Sequence, residues 1–477
     1  MSDFFLQYRR PEPITWVYLA SLLSIGLFFV FHRLWSVRNL DLLLLLALAP
    51  GLVLVQEGRR MQATYESTTA GEHPPQAIPP TLNARPDTVI PEQSLPHGQW
   101  FVSLRSNVSA ALLTPGEARD LERTGFLCLL GVQALLLLRM LLDPTMVRRP
   151  LLEPNLSVGG LIFITTALLA FMCANVLQAV PVAGSKLGPG YSLMGLLPNL
   201  STLPDLVQGA VSAASSTTYL ALARGLAIAS QVAIIVGLWL VGYRHFGNMH
   251  GGAGAAALYL LTPYTAQMFA RVDHALPAAL LVWAILLYRR PFLAGVFLSL
   301  AAGLVYYPLF LLPLWISFYW PRGLSRFVAG VVITLIALTV LLAIGGPGEF
   351  VDRLQKMYGL VRPVMDDQQL QGLWGLGWNP IWRLPLLVAF FLLSALFIFW
   401  PAQKNLGTLI SCSGALMVAA QFWHGFSGGL YIAWFLPLLL LTIFRPNLED
   451  RVALKVLVDP GLPRRVAEPS SAELGAA

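Results

Sequence analysis

The chain has 477 residues, 56% of them hydrophobic and 12% charged, with a formal net charge of +7. A soluble domain carries about 25% charged residues, so this composition, with a mean hydropathy of +0.66, argues for a helical membrane protein and against a soluble one. Continuous rather than alternating apolar runs argue against a β-barrel. Basic residues placed in short loops between the runs set membrane orientation rather than bind nucleic acid.

In chain order, about 13 spans are expected near the length a bilayer requires. They lie at 14–31, 41–56, 124–142, 158–180, 219–241, 252–269, 275–288, 292–304, 307–320, 325–345, 384–400, 406–422 and 430–444. The first run starts near Ile14, lacks a small-residue cleavage site and is soon followed by another. A cleavable signal peptide is therefore not expected. Runs such as 41–56 and those within 275–304 are short for a hydrocarbon core of about 30 Å. They suit tilted pairs or partial spans buried in protein. The chain divides into an N-terminal pair of spans (1–56), a Pro-rich loop (57–123), a transmembrane core (124–445) and a tail expected to be disordered (446–477). Cys128, Cys173 and Cys412 fall inside apolar runs, as small core residues do, and their spacing suggests neither a metal site nor a disulfide framework.

Positive charge forms a ladder. Arg33 and Arg38 follow the first span, Arg148 and Arg149 the third, Arg244 the fifth, Arg289 and Arg290 the seventh, Arg322 and Arg326 the ninth, and Lys404 the eleventh. Arg445, Arg451, Lys455, Arg464 and Arg465 follow the last span. All fall on one side, the cytoplasmic one by the positive-inside rule, which places the C-terminus inside. The opposite short loops hold chiefly Lys186 and Arg271, and Arg9 and Arg10 at the N-terminus depart from the pattern.

Three long segments fall on the outer side. In 57–123, Thr114-Pro115-Gly116-Glu117 reads as a capping box with Pro at the first helical position, so a helix should start there and run into the third span. The segments 181–218 and 346–383 mix aromatics with Gly and Pro, which suits short interfacial helices.

Candidate chemistry gathers on this outer side. Arg271, Asp273 and His274 stand where the sixth span hands over to the seventh, and ionisable groups near membrane depth have partners. Arg271 can pair with Asp273; the group reads either as a local ion pair or as a site for a phosphate or sugar hydroxyl. His424, in the turn Trp423-His424-Gly425 before the last span, should be accessible from water and suited to proton transfer or phosphate binding; a plain interfacial histidine fits as well. Asp205 is the only acid of the second outer segment, and Arg224, one turn into the fifth span, can meet an anionic headgroup. Asp366-Asp367, with Glu349, Asp352, Arg353, Lys356 and Arg362 nearby, can hold a divalent cation or simply be solvated. Trp374, Trp378 and Trp382, four apart, would make one aromatic face on a helix. No P-loop, dinucleotide fingerprint, zinc motif or nucleophile elbow occurs. No cofactor is expected, and a divalent cation has no clear motif.

The segment Arg271–Trp320, together with Trp423–Arg445, resembles the GT-C class of integral membrane glycosyltransferases. It is most similar to bacterial polyprenyl-phosphate-mannose-dependent α-mannosyltransferases. The shared pieces are an outer-side acid before a span, the Arg289-Arg290-Pro291 turn, Tyr306-Tyr307-Pro308 opening a later span, and the late His424-Gly425 turn ahead of Tyr431, Trp434 and Pro437. The match covers roughly the last 300 residues. It implies an all-α polytopic GT-C-like bundle in a bacterial inner membrane. The implied activity moves a hexose, mannose foremost, from a polyprenyl-phosphate donor to a lipid, glycan or protein acceptor at the outer face. By resemblance, an acid deprotonates the acceptor and in-line displacement expels polyprenyl phosphate. Asp205 or Asp273 is the expected carboxylate, His424 the phosphate or proton partner, and Arg224 or Arg271 the anion clamp. His274, Tyr306, Tyr307 and Trp423 line the site. Two positions depart from the family: the loop after 158–180 holds no carboxylate before Asp205, and Val305 stands ahead of Tyr306 where a Lys or other polar group is common. A non-catalytic envelope scaffold on the same bundle is the alternative. A transporter fits less well, since mid-span charges are few.

Overall fold

The structure, a computed structural model, describes residues 13–69, 114–146, 152–182, 199–201, 217–344, 350–360 and 369–446. Regular structure among them is helical apart from one antiparallel ribbon, β1 (Val180–Val182) with β2 (Asn199–Ser201). Seven helices are long and apolar enough to cross a membrane, and four shorter apolar helices join them. The all-α membrane architecture therefore holds, with fewer full-length spans among the described residues than the 13 expected.

The breaks have local causes. α1 (Pro13–Phe28) is followed by α2 (Val37–Leu46), which Ser36 caps, and then by α3 (Leu48–Thr69). Pro50 brings no N–H for the Leu46 carbonyl, which separates α2 from α3. α3 continues through 57–69, where a loop was expected, because Gln56, Glu57, Arg59, Arg60 and Gln62 favour helix after the apolar run ends. α4 (Pro115–Leu142) starts as its capping box predicts, with Glu117 N–H donating to Thr114 Oγ1 at 3.4 Å and Thr114 N–H to Glu117 Oε2 at 2.6 Å. α3 and α4 lie backbone against backbone. A Cβ on Gly58 would sit 2.7 Å from Glu122 N, and one on Gly125 2.6 Å from Val55 N. Small residues permit such close crossings.

α5 (Val158–Leu177) and α6 (Thr217–Val241) are long spans. The expected span 252–269 is instead α7 (Met249–Leu261) and α8 (Pro263–Met268), because Pro263 restarts the helix after Thr262 takes an extended conformation. Then follow α9 (Val272–Leu286), α10 (Pro291–Leu304), a 3₁₀ turn at Tyr307–Leu311, α11 (Leu312–Tyr319), α12 (Leu324–Ile344) and α13 (Phe350–Met357). α14 (Arg383–Phe399), α15 (Leu406–Trp423) and the nine-residue α16 (Leu436–Phe444) close the bundle. α7 and α15 are almost wholly buried and α16 entirely so, and together they form its centre. Cys412 is buried in α15, while Cys128 and Cys173 are half-buried.

Side-chain bonds collect the described ladder residues at one end. His250 Nε2 bonds the Leu156 carbonyl, His245 Nε2 the Leu286 carbonyl, and Tyr319 donates to the Tyr288 carbonyl. Arg38 reaches the Glu153 carbonyl. Arg445 pairs with Asp143, which Arg139 bonds at 3.2 Å while also holding Asp41 at 2.6 and 2.9 Å. Arg148, Arg149 and the tail arginines lie outside the described residues. From this end, α7, α9 and α10 rise only about 20 Å at 1.5 Å per residue, whereas α4 runs about 42 Å. The breaks that follow the short helices are thus enclosed by longer ones, and irregular backbone at membrane depth survives where it is buried in protein.

Candidate functional site

Three such breaks meet at the end of the bundle opposite the ladder: 262–274, 305–311 and 424–434. The first is held by Thr262 Oγ1, which donates to the Tyr259 carbonyl at 2.7 Å. It delivers Arg271 as the cap of α9, with Asp273 and His274 in its first turn. A carboxylate there also faces the positive end of the helix dipole. The third break is tied back to α15 by Gln421, whose Oε1 accepts from the Gly429 and Tyr431 N–H groups at 3.1 and 3.3 Å. Gly429 (φ 96°) and Ser427 (φ 56°) take left-handed backbone there, a conformation glycine adopts without strain.

Arg271 grips Asp273 with two bonds, Nε to Oδ1 at 2.9 Å and Nη2 to Oδ2 at 2.6 Å. His274 Nδ1 meets the Tyr264 hydroxyl at 2.6 Å, and its Nε2 stands 3.7 Å from Asp273 Oδ2. The Tyr431 ring stacks on His274, centroids 4.5 Å apart, and lies 5.0 Å from the His424 ring. One phenol thus bridges the two histidines. Trp434 joins the same group, donating its indole N–H to the Asp273 carbonyl at 3.3 Å. On the other flank Tyr306 donates to the Tyr307 hydroxyl at 3.0 Å, and the Tyr307 hydroxyl bonds His424 Nδ1. Trp423 packs against both tyrosines. His424 Nε2 is buried and has no hydrogen-bond partner. Because Tyr307 accepts from Tyr306, its own proton goes to His424 Nδ1, so Nε2 carries the ring proton as a buried, unused donor.

The structure therefore brings together Arg271, Asp273, His274, Tyr306, Tyr307, Trp423 and His424. It sets Arg224 among other partners, since its guanidinium donates to the Ala179 carbonyl at 2.8 Å beside the β1 ribbon. Asp205, Glu349, Arg362 and Asp366-Asp367 lie outside the described residues. Asp352 pairs with Lys356 at 2.6 Å with both side chains about half exposed, a solvated surface pair. Among the described residues no group of three or more His, Cys, Asp or Glu is placed to hold a metal ion.

Two expectations are corrected. His424 is not accessible from water: it is 1% exposed, Asp273 2% and His274 4%. The rings of Tyr307, Phe426, Tyr431 and Trp434 surround it, and the 369–376 turn lies over 425–427, with Gln371 N–H donating to the Gly425 carbonyl at 2.9 Å and Ser427 N–H to the Gln371 carbonyl at 3.1 Å. The tryptophans 374, 378 and 382 do not share a helix face either. They fall on two 3₁₀ turns and the link between them, interrupted by Gly377 at φ 91°. Trp374 is buried and bonds the Phe422 carbonyl, while Trp382 points outward.

Arg383 was missed. It stands at the start of α14, 4% exposed, with Nε donating to the Trp423 carbonyl at 3.1 Å and its guanidinium against Gly425. An arginine directly before an apolar run was the available signal, but the same pattern serves as a span flank.

No protein-family model, curated protein or solved structure matches this chain.

Proposed function

We propose that the protein is a GT-C-like hexosyltransferase of a bacterial inner membrane, with the arginine ladder cytoplasmic and the aromatic cluster toward the outer face. It would move a hexose, mannose foremost, from a polyprenyl-phosphate sugar to a lipid, glycan or protein acceptor. The observation that carries this is the meeting of segments 271–274, 306–307 and 423–434 around an unpartnered, buried imidazole N–H. These are the segments on which the resemblance rests.

Roles follow from the bonds. A donor phosphodiester offers Arg271 the same paired oxygens as the Asp273 carboxylate and competes for it. As it enters, it draws Arg271 from Asp273 and frees Asp273 to take the acceptor hydroxyl proton. The acceptor oxygen then attacks the anomeric carbon, and the bond from that carbon to the phosphate oxygen breaks. Polyprenyl phosphate leaves with the electron pair, its charge met by Arg271 and the His424 N–H. The rings over His424 must part to admit substrate, as loops and lids do elsewhere.

The closed state favours a second reading, a non-catalytic scaffold, because Asp273 is fully engaged and His424 is sealed. Reconstitution with radiolabelled polyprenyl-phosphate-mannose and a mixed lipid acceptor pool separates the two. Transfer that is abolished by Asp273→Asn and by His424→Ala supports the assignment. Transfer surviving both sinks the site, and no transfer with any polyprenyl-phosphate hexose favours the scaffold.

A further inference from the structure

At the ladder end, a cavity of about 760 Å³ opens between the α9–α10 turn, the end of α11 and the start of α12. Its lining includes Arg289, Arg322 and Arg326, and no Asp or Glu. All three arginines are exposed. Three guanidinium groups facing one space repel unless an anion joins them, and the planar fork matches phosphate oxygens in pairs.

The walls are built rather than accidental. Tyr319 donates to the Tyr288 carbonyl at 2.6 Å, fixing α11 against the α9–α10 turn. Arg289 lies over the Tyr288 ring, 5.7 Å from its centroid, and donates to that tyrosine's hydroxyl at 3.1 Å. Gly323, at φ 92°, turns the chain beside Pro291, and a Cβ there would lie 2.7 Å from the Pro291 ring. Phe292, Trp320 and Val328, each within two residues of a lining position, expose 41%, 71% and 38% of their surfaces. Exposed apolar groups flanking a basic recess suit a ligand with a charged head and a hydrocarbon body.

We propose that this cavity binds a phosphate anion carried as the headgroup of an anionic phospholipid. Its place in the fold is distinct from the aromatic cluster at the other end of the bundle, so it stands or falls independently of the proposed transfer activity.

The test is lipid retention. The full-length protein is placed in nanodiscs of equal phosphatidylcholine and phosphatidylglycerol, extracted into mild detergent, and its bound lipids counted by native mass spectrometry. The wild type should keep phosphatidylglycerol selectively. The triple variant R289Q/R322Q/R326Q should retain it at least about tenfold less, since each arginine near the surface contributes on the order of one charge's attraction. R244Q removes one exposed charge at the same end, outside the cavity, and should change nothing. Equal retention in all three proteins overturns the proposal, as does equal loss in R244Q. Binding of inorganic phosphate by the wild type, lost in the triple variant and without lipid retention, assigns the cavity to a soluble phosphate and overturns the lipid source.

Discussion

Tyr307 and His424, 117 residues apart in sequence, share a hydrogen bond from the phenol hydroxyl to imidazole Nδ1 inside the bundle. That bond sets which imidazole nitrogen bears the proton, and it makes the 3₁₀ turn at Tyr307 part of the same unit as the turn after α15. Tyr307→Phe should strand Nδ1 without a donor in a buried position, at a cost of about 1–3 kcal/mol. Tyr306→Phe, which removes only the outer member of the chain, should cost less. Thermal unfolding of the two variants in one detergent orders them; a larger loss from Tyr306→Phe would refute the arrangement.

The Arg271–Asp273 pair gives a second expectation. Asp273→Asn leaves a largely buried guanidinium without its carboxylate and should destabilise by about 3 kcal/mol. Replacing both partners together, Arg271→Met with Asp273→Leu, should recover part of that loss, because no uncompensated charge remains. Transfer activity, if the proposed chemistry operates, should be lost in both. Stability and activity measured side by side separate the structural role from the catalytic one.

Where α3 crosses α4, Gly125→Ala should cost about 2 kcal/mol, since its methyl would meet the Val55 backbone, which cannot turn aside. Gly131→Ala, further along the same helix with nothing within 4 Å of its added Cβ, should be neutral or stabilise by about 0.5–1 kcal/mol. Equal effects in unfolding experiments would show that the two helices do not touch as described.

Arg445 gives the fourth expectation. Counted in the charge ladder, it reads as a topology signal. In the fold it is 5% exposed and bound to Asp143, which Arg139 links to Asp41. Arg445→Gln should leave the side of the membrane holding the C-terminus unchanged, as read by a C-terminal accessibility tag. It should lower the unfolding midpoint through a loss of about 3 kcal/mol. A flipped tail would restore the topological role.

The contrast between Arg445 and Arg271 shows what the sequence made legible. Arg271 lies two residues from Asp273, so their pairing could be read locally. Arg445 and Asp143 are 302 residues apart, and Arg139 and Asp41 are 98 apart; no periodicity reports bonds of that reach. Placing Asp273, His274, Tyr306, Tyr307, Trp423 and His424 on one side followed from counting spans against charge, and that was enough to bring the cluster together. Counting failed where a single residue redirected the backbone, as Pro263 did within 252–269 and Gly377 did among the tryptophans. Burial of His424 was illegible because the rings that cover it come from the chain that follows it, Phe426, Tyr431 and Trp434, folding back, and from Tyr307, far away in sequence.

The short rise of α7, α9 and α10 has a consequence for delivery. With the ladder end taken as one edge of a hydrocarbon layer about 30 Å thick, a cluster about 20 Å above it falls inside that layer, so under the proposed function a donor would reach it sideways between helices rather than down from water. A compound tethered by an isoprenoid chain already diffuses in that plane and searches two dimensions instead of three. A free sugar nucleotide would have to shed its hydration to descend. Under the proposed function, the depth of the breaks, set by where three helices stop, suits a donor that arrives already dissolved in lipid.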